Sequence, residues 1–295
     1  MSSPGYIHAP AADFVLPFDL PGFRGRLVRL DEASTRALQA HALPEAAQRI
    51  VAENITLAAL LGSSLKLDGR LTIQVQNDGP LNLVAADYYG AEEGKPVGLR
   101  GYARLSEAPV DKTTPLLGKG SLGITIEPRR GEQSYQGIVA LSEEGIAASA
   151  EAYFAQSEQL PTVIRLAAAP LFEPGKPVRW RAGGLLLQAT PEGTRNEDDW
   201  DRLTSHVRSL EDLELVDTAL TAEKLLWRLF HEDEIRVLPF EPLAFRCECD
   251  GGRIASVLKA YAPEERAGLA DPDGIVRARC AFCGALHEIA ATALD

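Results

Sequence analysis

A chain of 295 residues, 45% of them hydrophobic, can bury a real core in one large domain or in two to three small ones. Its formal net charge of −12 opposes a nucleic-acid partner, which needs a basic face. The densest apolar run, near Leu57 to Leu61, is far short of a membrane span, and Met1-Ser-Ser-Pro-Gly-Tyr-Ile-His8 has neither a basic nor an apolar leader region; no membrane partner and no export are expected.

Residues 1 to about 22 are rich in Pro and Ala and read as irregular. Phe23 to Leu30 alternates apolar and polar residues and reads as a strand, and Thr35 to His41 as a short helix. Pro44 suits a helix start, and Glu45 to Leu65 carries a wide apolar face interrupted by Asn54, which predicts a long buried helix. Leu71, Ile73 and Val75 alternate with polar residues, Asn77-Asp78-Gly79-Pro80 turns the chain, and Leu81 to Ala85 returns as a hairpin arm. Gly98 to Arg104 adds a strand, and Gly120 to Ile126 with Tyr135 to Leu141 forms a second hairpin around Arg129-Arg130-Gly131. Glu143 to Glu158 reads as a helix, Thr162 to Leu166 as a strand, and Arg181 to Ala189 as the last strand. Hairpins with a few helices predict an α+β fold rather than a wound parallel sheet.

Composition shifts at Pro191. From there to Asp250 there are 16 acidic residues against 7 Lys and Arg. Asp199 to Leu210 and a segment N-capped by Thr221 are amphipathic helical patterns too small for a core of their own, so they should dock onto a neighbour. The expected organisation is an N-terminal hairpin-rich sheet domain with helices (1–190), a helical linker (191–240) and a small C-terminal zinc-binding module (241–295). That module is too short to be stable by apolar burial alone.

The only cysteines are Cys247 and Cys249, a Cys-x-Cys pair, and Cys280 and Cys283, a Cys-x-x-Cys pair about thirty residues later. Two close pairs have metal-site spacing, and four thiolates can close a tetrahedron around one borderline cation, usually zinc, one per chain. Arg246, Arg253, Arg277 and Arg279 would offset surplus negative charge. His287 is a possible substitute ligand, more simply a half-exposed histidine beside a complete shell. A disulfide within a Cys-x-Cys pair closes a small strained ring, since bridged Cα atoms prefer about 5.5–6 Å, and strained disulfides are the labile, regulatory kind. Clustered thiols without an export signal belong in a reducing compartment.

No catalytic constellation emerges, so the chain is not expected to be an enzyme. His8, His41, His206 and His231 are scattered. Gly118-Lys-Gly-Ser-Leu-Gly123 lacks the ending of a phosphate loop and precedes a strand, so it reads as a tight turn. Ser142-Glu-Glu reads as a helix cap, and the acids at 198–199 and 232–234 as solvated helix ends. The cysteine spacing alone also permits a zinc-ribbon module that reads nucleic acid, which the acidic balance opposes, or a thiol oxidoreductase built on Cys280 and Cys283, which their place behind another cysteine pair opposes.

Beyond the four cysteines, the blocks Lys66 to Gln74, Leu99 to Ala103, Tyr135 to Val139, Tyr153 to Thr162, Ala182 to Gln188 and Leu226 to Phe230 occur in a family's order. Over nearly its whole length the chain resembles the heat-shock protein 33 family, redox-switched holdase chaperones of the bacterial cytoplasm. It departs at Leu286-His287, where the family more often has an aromatic, and in a longer segment before Phe23. The resemblance implies an ATP-independent chaperone for unfolded client proteins, inactive with zinc bound. On oxidation it implies disulfides Cys247–Cys249 and Cys280–Cys283, zinc release, unfolding of the module, loosening of the linker, and a tendency to dimerise. Residues 197 to 232 and the surface they uncover are then the expected client site.

Overall fold

The computed structural model describes residues 9–65, 67–106, 115–129, 133–191 and 197–294. His8 and Arg130-Gly131 of the expected turn lie outside them. The chain divides into two compact units, Met1–Arg246 and Cys247–Asp295, and the α+β class expected from the hairpins is what the structure has.

The first unit begins with β1 (Phe14–Leu20), β2 (Phe23–Leu30), α1 (Glu32–Gln39) and α2 (Glu45–Ser64). Five strands follow: β3 (Gly69–Asn77), β4 (Leu83–Tyr89), β5 (Val97–Arg104), β6 (Gly120–Pro128) and β7 (Tyr135–Ala140). Then come α3 (Ile146–Tyr153), a π-helical turn (Phe154–Glu158), β8 (Thr162–Leu171) and β9 (Arg179–Ala189). The unit closes with α4 (Glu197–Arg208), α5 (Asp212–Val216), α6 (Ala222–Phe230), β10 (Arg236–Val237) and β11 (Glu241–Phe245). One sheet runs β7-β6-β3-β4-β5-β11-β1-β2-β9-β8, with β10 beside β1. All pairings are antiparallel except β11 with β5. No helix among the described residues is long and apolar enough to cross a membrane.

The stretch read as irregular contains a strand. Phe14, Leu16, Phe18 and Leu20 of β1 are buried, but Pro17 interrupts their alternation. A strand tolerates proline where a ladder donor is not needed, and Pro17 falls where β1 changes partner, between its pairing with β11 at Phe14 and Val15 and with β10 at Phe18 and Asp19. Nor is Arg181 to Ala189 the last strand: β10 and β11 follow in this unit and two more in the next. The helix read from Glu143 starts instead at Ile146, after Gly145 with its φ of 101°. The glycine-rich stretch at 118–123 is a turn into β6, with the Gly118 amide donating to Asn77 Oδ1 at 2.9 Å.

Two cores lie on the two faces of the sheet. On one, α2 is buried along nearly its whole length against β2–β5, β8 and β9. The Asn54 amide on that helix donates to the Ile73 carbonyl at 3.3 Å, tying α2 to β3. On the other, α4, α5 and α6 cover β1, β2, β8 and β9. Adjacent glycines on β9 let both layers approach. A Cβ at Gly183 would lie 2.4 Å from the Leu215 carbonyl of α5, and one at Gly184 would lie 2.8 Å from Thr56 of α2.

The second unit holds α7 (Gly251–Leu258), α8 (Pro263–Ala267) and the hairpin β12 (Ile275–Arg279) and β13 (Leu286–Ala290). Its buried apolar residues are Val276, Ile289 and Leu294, backed by partly buried neighbours such as Ile254 and Leu258.

Candidate metal centre and the surface beneath the acidic helices

Cys247 and Cys249 lie between β11 and α7, where the Asp250 side chain caps α7 by accepting from the Arg253 amide at 2.9 Å. Cys280 and Cys283 lie on the turn joining β12 to β13. The Cys280 amide donates to the Ala285 carbonyl and the Gly284 amide to the Cys280 carbonyl, both at 2.9 Å. Gly284 closes the turn with φ 71°, a conformation glycine adopts at no steric cost. All four Sγ atoms lie within 4.8 Å of one another. Across the pairs, Cys247 and Cys280 are 3.7 Å apart, and Cys249 and Cys283 are 3.4 Å apart. A tetrahedral zinc with bonds near 2.3 Å separates its sulfurs by roughly 3.8 Å, so this donor set fits a tetrathiolate metal ion.

Burial pushes Cys249 and Cys283 up. Burial also opposes ionisation of Cys280, but backbone donors from Cys283 and Phe282 outweigh it and draw that thiol down to about 7. His287 stands outside the cluster of four, its Nε2 3.4 Å from the Cys249 sulfur. The four nearby arginines have partners of their own. Arg277 is held by Asp271, Asp273 and Glu288, Arg253 by Glu248 and Asp250, and Arg246, in the first unit, by Glu92. Arg279 donates to the Gly284 carbonyl at 3.0 Å and so braces the turn that presents the second cysteine pair.

The acidic helices of the first unit dock as their amphipathic pattern predicts. Thr221 caps α6 by accepting from the Lys224 amide. Leu203 and Val207 of α4, Leu215 and Val216 of α5, and Leu225, Leu226 and Phe230 of α6 are buried against the sheet. Phe230 packs on Phe18 with ring centroids 5.5 Å apart, and Trp200 stacks on Phe23 at 6.1 Å. The Phe18 ring has room because β2 carries Gly25 opposite it, where a Cβ would come within 1.9 Å of that ring.

Sequence reasoning missed the polar fastenings of this layer. Arg29 on β2 is 2% exposed. Its guanidinium donates to the Leu220 carbonyl, and to the Glu214 carbonyl at 2.9 Å. Burial lowers its pKa, opposed by Asp217 and Glu223 nearby. Arg165 on β8 donates to the Leu210 carbonyl at 2.9 Å and to Asp212 at 3.2 Å. Short α5, also missed, has a capping box between Glu211 and Glu214.

Residues 17–290 match the family model described as Hsp33 protein. The chain belongs to the Hsp33 family. The Hsp33 match runs from inside β1 to the last residue of β13, so it takes in both units. A 33 kDa chaperonin of Caulobacter vibrioides (strain NA1000 / CB15N) is 37% identical over 278 residues, 90% of each chain. A 33 kDa chaperonin of Escherichia coli (strain K12 / DH10B) is 37% identical over 264 residues, 88% of this chain and 86% of its own. The crystal structure of an Hsp33 homologue from Thermotoga maritima matches with a TM-score of 0.76 at 20% identity, covering 96% of both chains, a likeness of fold.

Proposed function

We propose that this protein is a redox-regulated, ATP-independent holdase that binds unfolding proteins in the cytoplasm. The observation that carries this reading is the cluster of four sulfurs within 4.8 Å inside a unit whose buried apolar core is Val276, Ile289 and Leu294. The family membership supplies the chaperone class. Cys247, Cys249, Cys280 and Cys283 would hold one zinc ion, which when bound keeps the sulfurs as thiolates and contributes folding free energy to the unit.

The protein's own chemistry then couples oxidation to unfolding. A peroxide takes two electrons from two thiolates and, with two protons, leaves as two waters while one S–S bond forms. Two such events give Cys247–Cys249 and Cys280–Cys283. The four-thiolate set no longer exists, and a unit with so small a core loses its main cross-link. Functionally the chain works in three parts, with residues 1–190 as the body, 191–240 as the linker and 241–295 carrying the switch, in which β11 stays with the sheet and the unit Cys247–Asp295 unfolds. The linker is the bistable element: undocking α4–α6 would uncover Phe14, Phe18, Phe23 and Leu27, and the acidic outer faces of those helices would keep the exposed surface soluble. Two oxidised copies would associate through such surface.

The test follows zinc release, free thiols and suppression of client aggregation together during hypochlorite treatment of the full chain. The three should change in step. Full holdase activity of the reduced, zinc-loaded protein, with no gain on oxidation, would overturn the proposal.

A further inference from the structure

The two outer edges of the large sheet are finished differently. At β8, the outward amide of Ile164 donates to the Glu151 carboxylate at 2.7 Å, and α3, α4 and α5 pack on the strand. At β7, α3 also packs on one face of the strand, but among the described residues no hydrogen bond to an outward amide matches the one at Ile164. The Leu141 amide donates to the Gly120 carbonyl, which fixes the phase of the ladder in register with β6. Antiparallel pairs alternate between hydrogen-bonded and non-hydrogen-bonded. Tyr135, Gly137 and Val139 therefore spend their backbone groups on β6, while Gln136, Ile138 and Ala140 turn theirs outward. Those three residues are exposed, Ile138 by 62%. Tyr135-Gln-Gly-Ile-Val-Ala140 contains no charge and no proline, the usual devices that keep a sheet edge from recruiting another strand.

We propose that the β7 edge captures an extended, uncharged segment of an unfolding protein by adding it as a further strand, with Ile138 supplying an apolar contact on the solvent face. This inference rests on the chaperone reading. Recognition through backbone groups is indifferent to sequence, as a holdase for many clients requires. The occupant is an unfolded chain rather than a folded partner or a second copy, because one six-residue strand buries far less than the roughly 1,200 Å² of a stable specific complex. A flexible client instead gains from adding this attachment to apolar contacts elsewhere.

The test uses the oxidised full-length protein and a chemically unfolded client. Hydrogen exchange should slow at the Gln136, Ile138 and Ala140 amides when client binds, whereas those of Tyr135, Gly137 and Val139 are already protected by β6. The Ile138→Pro variant removes an outward donor together with the exposed isoleucine side chain, and no donor to β6, so the β6 ladder stays intact. It should bind client at least about fivefold more weakly, the equivalent of the one net hydrogen bond lost, with thiol oxidation unchanged. No added protection at the three outward amides of an active wild-type protein overturns the edge proposal, as does a dimer that forms through β7 without client. If that variant does not fold, the exchange experiment on the wild type decides alone. Absence of any holdase activity in the wild type refutes the chaperone reading instead.

Discussion

Replacing Arg29 by Met tests whether the acidic helices are latched by polar fastenings as well as by apolar packing. Methionine keeps a long flexible stem and removes the guanidinium that reaches the Glu214 and Leu220 carbonyls. A hydrogen bond from a charged donor contributes about 1.5–3 kcal/mol, so the pair is worth about 3–6 kcal/mol gross. The variant also escapes the cost of burying a cation, which offsets part of that. A net loss of about 2–3 kcal/mol in docking of α5 and α6 is expected, which multiplies the undocked population about 30- to 150-fold. The assay is hydrogen exchange on the reduced, zinc-loaded protein. Amides of Leu225 to Phe230 should exchange faster by that factor while those of α2 keep their rates, and the reduced protein should acquire part of the aggregation-suppressing activity. Equal acceleration in α2 and α6 would mean that Arg29 supports the whole unit, and no acceleration would mean that packing alone holds the helices; either result refutes the reasoning.

Gly183→Ala places a methyl group 2.4 Å from the Leu215 carbonyl, and overpacking of this kind costs about 1–3 kcal/mol; binding of an apolar dye to the reduced protein should rise, with α5 the first segment to lose exchange protection. Removing metal with a strong chelator under reducing conditions should collapse the amide dispersion of residues 247–294 in an NMR spectrum and leave the first unit's spectrum intact, since the small core of Val276, Ile289 and Leu294 cannot hold alone. Glu53 on α2 is pushed up to about 7 by burial, with Arg49 opposing and Asp212 reinforcing the shift. A raised carboxyl favours the folded state below its unfolded pKa of about 4.3 and loses that advantage as pH rises through 7. Glu53→Gln should therefore leave stability at pH 4 nearly unchanged and raise it by about 1–2 kcal/mol at pH 8, read from urea midpoints; an equal change at both pH values would count against this assignment.

Hairpins were legible wherever one face is buried and the other is wet. Leu71, Ile73 and Val75 of β3 alternate with less buried residues, and the pattern announces the strand. The same logic failed at Arg29. An arginine in an alternating strand reads as solvent-facing, but a second layer of helices covers that face of β2, and nothing local in the sequence reports a layer supplied by residues 197–230. Pro17 hid β1 because proline is read as a strand breaker, and only the change of partner beside it explains the exception. The cysteine spacing pointed directly to a four-sulfur cluster, since two short chelating turns need little more than their own residues to form. The fate of the nearby arginines was illegible, because their carboxylate partners were not predictable from spacing.

Strand β11 has a consequence for the order of folding. It pairs with β1 through Glu241 and Pro242 and with β5 through Leu243 to Phe245, so it joins the two halves of the sheet. Its partner Phe14 is among the first described residues of the unit, and Arg246, whose amide donates to the Leu99 carbonyl at 2.9 Å, is its last. During synthesis the sheet cannot close until Phe245 has left the ribosome, and pairings so distant in sequence form slowly. Until then the facing edges of β1 and β5 stand open, the condition in which nascent chains aggregate. This member of a chaperone family is thus itself, while being made, a chain whose large sheet waits on the last of its strands to be synthesised.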